Sequence, residues 1–164
     1  MLLLGAVMLL TARPVTAQTS SYGELQAAYL YNFAKYISWP EESPQFVIGV
    51  FQEADIMDAL VATLKGKKVR GKPFVVKKIS TEEELQECHI VYLSSENSES
   101  LGLITQTLTG KSILIVTEED LIRKGAAISF VVQDDRLKFK LKRKMLSEAG
   151  LTASDGLLRL AILL

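Results

Sequence analysis

Short runs rich in Val, Ile and Phe, separated by segments of helical spacing, constrain this chain most. Phe46–Phe51 (FVIGVF), Phe74–Ile79 (FVVKKI), His89–Leu93 (HIVYL) and Ser112–Val116 (SILIV) are each too short to be helices and rich in β-branched residues. The first, third and fourth are continuously apolar enough to predict strands covered on both faces. Between them, Asp55–Leu64 places Ile56, Ala59, Leu60 and Leu64 on one helical stripe. Thr81–Glu87 predicts a short acidic helix with Thr81 and Glu84 at capping-box spacing. Leu101–Leu108 predicts another helix, and Thr117 caps a further short one through Arg123, with Glu118, Glu119 and Asp120 in its first turn. Strands alternating with helices specify an α/β fold: three layers, with a mainly parallel sheet flanked by helices.

The rhythm changes after Gly125. Ala127–Val132 and Leu137–Leu141 flank Gln133-Asp-Asp-Arg136, which predicts a C-terminal β-hairpin at or near the sheet edge. In its second strand Leu137, Phe139 and Leu141 alternate with Lys138, Lys140 and Lys142, so one face is apolar and the other cationic. Such a strand resists pairing with another chain, as an edge strand should. A helix from about Lys142 to Ala149 is then stopped by Gly150. The last segment, Ser154–Leu164, predicts a core helix, with Thr152 and Asp155 spaced as a second capping box.

Glu24–Pro40 (ELQAAYLYNFAKYISWP) predicts the first helix of the domain. Leu25, Tyr29, Phe33, Tyr36 and Ile37 fall on one stripe, and Pro40 disfavours helix at the residue before it. Asn32 projects into that stripe, where an amide needs a partner such as a nearby loop backbone.

The 164 residues fit one domain with a sizeable core. Met1–Leu10 is apolar but shorter than the roughly 18 residues of a membrane span. Val15-Thr16-Ala17 supplies small residues at the spacing a signal peptidase reads, so residues 1–17 are expected to be a secretory signal peptide and 18–164 a single α/β domain. No Lys or Arg precedes the apolar run. Removing the leader takes away Arg13 and leaves 18 basic against 19 acidic side chains, a balance that does not point to nucleic acid. Cys88 is the only cysteine, so no intramolecular disulfide can form.

Motifs that would carry chemistry fail on context. Gly66–Pro73 (GKKVRGKP) nearly spells a phosphate loop, but it ends in Pro73 and lies between helix and strand instead of strand and helix. His89 is the only histidine and neighbours Cys88 on a predicted strand, so the two point to opposite faces and form no metal site. A buried, hydrogen-bonded His89 is expected. Glu118-Glu119 and Asp134-Asp135 are explained by a helix start and a turn. No catalytic constellation, metal site or cofactor motif remains. Arg136–Lys144 packs six cations into nine residues, which suits a solvated face, an acidic partner or anionic headgroups at a membrane surface.

The segments YLYNFAKYISWP (29–40), FVIGVF (46–51), GKKVRGKPFVV (66–76), ECHIVYL (87–93), ILIVTEEDLIRKGAAISFV (113–131), RLKFKL (136–141) and AGLTASDGLLRLA (149–161) occur in an order and spacing that resemble the YfiR/HmsC-like family of periplasmic regulators. The resemblance implies an exported, non-catalytic α/β protein of the Gram-negative periplasm, often dimeric. It would bind the periplasmic domain of an inner-membrane diguanylate cyclase and repress it, lowering cyclic di-GMP and biofilm formation. Tyr31 and Trp39 are the candidate partner anchors, and Arg136, Lys138, Lys140 and Lys142 form a second candidate surface. Two departures bear on this. Studied relatives carry paired cysteines, so their redox response does not transfer to Cys88, and the cationic strand is more basic than expected. The competing function is periplasmic small-ligand binding in the crevice beyond the strands' carboxyl ends, lined by Ser94–Ser100.

Overall fold

The alternating segments fold into a sheet with helices on both faces. The computed structural model describes residues 16–40 and 42–164. The leader expected over residues 1–17 therefore lies outside the described residues except for its last two. In chain order the elements are α1 (Thr16–Tyr36), β1 (Ile37–Ser38), β2 (Phe46–Phe51), α2 (Ile56–Leu64), β3 (Lys68–Val69), β4 (Lys72–Ile79), α3 (Glu82–Gln86), β5 (Ile90–Leu93) and α4 (Leu101–Thr107). They continue with β6 (Leu114–Thr117), β7 (Ile128–Gln133), β8 (Arg136–Leu141), α5 (Arg143–Glu148), β9 (Thr152–Ala153), α6 (Asp155–Leu160) and β10 (Ile162–Leu163). Short 3-10 turns cover Ser95–Ser100 and Ile122–Lys124.

Eight strands pair in the order β10-β8-β7-β6-β5-β2-β4-β3. The central run β4, β2, β5, β6, β7 is parallel, while β8 runs antiparallel to β7 and β3 antiparallel to β4. β1 and β9 form a separate antiparallel pair that ties the end of α1 to the start of α6. The two-residue period of the strands sorts their side chains into two cores. Ile48, Val50, Ile90, Tyr92, Leu114 and Val116 face α1 and α2, while Val47, Phe51, Val91, Leu93, Ile113 and Ile115 face α3 and α4. All six residues of β2 are buried, as a strand covered on both faces requires. Thr81 and Glu84 form the expected capping box at α3.

Asp134 and Asp135, both at positive φ, make the β7–β8 connection a two-residue turn of the hairpin type. The near-phosphate loop is likewise a hairpin: Val69 pairs with Lys72 across Arg70 (φ 50) and Gly71 (φ 77).

Several local expectations are corrected. The buried face of α1 is Gln26, Ala27, Leu30, Phe33 and Ala34, continued by Ile37 of β1, whereas Leu25 and Tyr36, expected in the core, are about half exposed. Asn32 is only half-buried, and the polar residue within the buried face is Gln26, whose Oε1 accepts from the Tyr92 hydroxyl at 3.4 Å. No α-helix forms over 117–123. The Leu121 N–H donates to the Ser129 hydroxyl, which also pairs with the Thr117 hydroxyl at 2.7 Å, so a buried contact with β7 takes a backbone donor a helix would need. The final helix ends at Leu160, capped by Ser154 instead of by a Thr152–Asp155 box. The chain then continues as β10 alongside β8. β10 pairs only with Lys140 and Leu141, so the hairpin lies next to the sheet edge as expected, with the far end of β8 beyond the reach of β10.

Candidate functional site

In an open parallel sheet a ligand crevice is expected where successive connections leave in opposite directions. Here that point lies between β2 and β5, since the chain passes from β2 to β4 on one side and then to β5 on the other. The crevice is bridged from within. The Asn97 amide donates to the Phe51 and Glu53 carbonyls, at 3.4 and 3.1 Å, and to the Ser94 hydroxyl at 2.9 Å. Glu118, at the end of β6, accepts from the Ser95 N–H at 2.8 Å and from its hydroxyl at 3.1 Å. The Ser94–Ser100 segment is therefore a tied turn across the crevice instead of an open lining loop.

Tyr31 and Trp39 meet the sheet at its other end. The Tyr31 ring packs against Phe74 with centroids 5.7 Å apart, and the Lys67 ammonium lies 4.6 Å from the Tyr31 centroid. Lys35 lies 5.5 Å from Tyr31 and 5.3 Å from Tyr36, so cations flank both rings. Trp39 is half-buried, edge-on to Phe46 at 5.0 Å, and its indole N–H donates to the His89 carbonyl at 3.3 Å. His89 stands just before β5 and is half-buried; its Nδ1 accepts from the Val47 N–H at 3.1 Å, and its ring stacks on Phe46 at 4.5 Å. Cys88 points the other way, into the α3–α4 core, where burial pushes its thiol up to about 12.

The four cations proposed as a second surface lie at the opposite end of the sheet order, on and just after β8. Lys138 reaches Gln133 at 3.2 Å and Asp134 at 3.5 Å, and Lys140 pairs with Asp120. Arg136 is exposed at the hairpin turn, and Lys142 is the N-cap residue of α5. The sheet thus separates Tyr31 and Trp39 from the basic strand instead of joining them in one site. The apolar surface that sequence patterning missed is the chain's end: Leu160 is 72% exposed, Leu163 42% and Leu164 48%. Periodicity alone counts these leucines toward a buried helix; the signal against it is the uninterrupted apolar run Leu160–Leu164 following Arg159, which leaves no polar face to define an amphipathic stripe.

Among the described residues, no group of three or more His, Cys, Asp and Glu is placed to hold a metal ion, and no helix is long and apolar enough to cross a membrane. Layer order, strand polarity and the bridged crevice define a doubly wound α/β domain closed by an antiparallel hairpin. The chain belongs to the YfiR/HmsC-like family, whose description matches residues 23–162. No curated protein matches it.

Proposed function

We propose that this protein is a non-catalytic periplasmic regulator that binds the periplasmic domain of an inner-membrane diguanylate cyclase and holds it inactive. Family membership over residues 23–162 is the observation that carries this reading. Leu160, Leu163 and Leu164, beside the open outer side of β10, supply the exposed apolar area that a protein partner requires. On this reading residues 1–17 direct export and are removed, leaving 18–164 as the working domain. The β8 cations, on the strand next to β10, are candidate contacts of the same surface, whereas Tyr31 and Trp39 are candidate contacts at the other end of the sheet order.

A periplasmic protein cannot touch a cyclase's cytosolic domains, so control must pass through a transmembrane receptor with two states. The regulator must bind the inactive state more tightly, because equal affinity shifts nothing. Moving the receptor from 1:99 to 99:1 takes about 5.5 kcal/mol of differential binding. A few buried apolar anchors can supply that. Deleting the protein should raise cyclic di-GMP and biofilm, and removing the cyclase as well should abolish the rise. Leu160→Ser with Leu163→Ser should copy the deletion while the purified variant melts as the parent does. An unchanged cyclic di-GMP level in the deletion strain, with the cyclase expressed, refutes the repressor reading.

A further inference from the structure

Between the end of α1 and the β3–β4 hairpin lies a cavity of about 300 Å³, the lower end of the range for small-molecule sites. Two cations converge on it. The Arg70 guanidinium donates to the Ile37 carbonyl at 2.7 Å, which fixes its direction, and Arg70 itself sits at φ 50. The Lys72 side chain is largely buried and reaches Glu42 at 2.9 Å. Trp39 and Phe46 supply ring surface to the wall. Among the described residues, the lining holds one carboxylate against these two cations, that of Glu42. Its side chain is 96% exposed. The hydrogen bond from Lys72 and the charges of Lys72 and Arg70 hold its pKa below the usual carboxylate value.

We propose that this cavity binds a small organic anion, with its carboxylate or phosphate held by Arg70 and Lys72 and its apolar body against Trp39 and Phe46. Glu42, whose side chain is already in solvent, competes with the ligand for the Lys72 ammonium and gives up that contact when a ligand enters. This site lies at the amino ends of β2 and β4, away from the crevice bridged by Asn97, and does not depend on the regulator reading.

Trp39 is the only tryptophan, so intrinsic fluorescence reports on the cavity wall. The full-length protein is titrated with benzoate, phenyl phosphate, benzyl alcohol and inorganic phosphate, each to millimolar concentration. Saturable quenching by an aromatic anion is expected, and whichever of the two binds more tightly identifies the acidic group. Lys72→Gln should weaken that binding about tenfold, in line with loss of one charge-assisted hydrogen bond. Glu42→Gln should tighten it severalfold by removing the competing carboxylate, and Lys124→Ala should leave it unchanged. Arg70→Ala should also weaken it, but that variant loses the Ile37 contact, so Lys72 and Glu42 carry the decision. Equal response to benzyl alcohol or to inorganic phosphate, no response to any probe, or affinity unchanged in both Lys72→Gln and Glu42→Gln overturns the proposal.

Discussion

Gly49 lies in the middle of β2 with its missing side chain aimed at the α3–α4 core. A Cβ built there would stand 2.5 Å from Cys88 Sγ and 2.6 Å from Ile79 Cγ1. Carbon atoms in contact sit about 3.5–4.0 Å apart, so one methyl overlaps two buried neighbours on different segments by about 1 Å each. Ile79 and Cys88 are 0% and 5% exposed, and neither neighbour can swing out to solvent. Gly49 has no positive φ, so alanine fits the backbone and would stabilise by about 0.4–1 kcal/mol through the unfolded chain. Overpacking a filled core costs about 1–3 kcal/mol, which outweighs that gain. Gly49→Ala is therefore expected to lose about 1–2 kcal/mol and to melt about 2–8 °C lower, by differential scanning calorimetry or urea unfolding. Cys88→Ala alone should cost about 1 kcal/mol by opening a small cavity. In the Gly49→Ala background the same change should cost little, because it removes one of the two clashes. The double-mutant cycle should thus show coupling of at least about 0.5 kcal/mol. Additive effects, or a Gly49→Ala protein that melts higher than its parent, would refute the packing argument.

Trp39→Ala should cost about 2 kcal/mol, less than the 3–5 of a fully buried aromatic, because the indole is half-buried and keeps one side on Phe46; urea denaturation measures it. Backbone N–H bonds from Ser80 and Thr81 hold the Glu84 pKa below its ordinary value. That stabilisation is present above the unfolded carboxylate pKa and is lost as pH falls through the lower folded value. Glu84→Gln should therefore be less stable than the parent at neutral pH, with the gap closing through the acid range; a pH-independent gap would contradict it. The Cys88 thiol, raised by burial, should react with a thiol reagent at pH 8 far more slowly in the native protein than in urea, and equal rates would show that the site is open.

Much of the architecture was legible from local pattern. β2, β5 and β6 are continuous apolar runs, and their shortness and β-branched content favour a strand covered on both faces over a buried helix segment. The Thr81–Glu84 capping box and the Asp134-Asp135 turn are set by residues adjacent in sequence, so they could be read before any packing was known. Family membership was legible for a related reason, since it rests on the order and spacing of such segments.

Only tertiary contacts decided the rest. Leu25 and Tyr36 satisfy a helical stripe as well as Ala27 and Leu30 do, and it is the position of the sheet under α1 that selects the second set for burial. The segment after Thr117 has good helix-start residues, yet Ser129, on the next strand, takes the Leu121 donor. Ser154–Leu164 is apolar enough for a helix throughout, but β8 offers unpaired backbone groups at its Lys140–Leu141 end, and Ile162 and Leu163 pair with them. The cavity joining Trp39, Arg70, Lys72 and Glu42 draws on residues more than thirty positions apart. Periodicity and capping act over a few residues, so they fix elements and turns; which faces become core, which edges stay open and which charges meet depends on where the sheet sets those elements against one another.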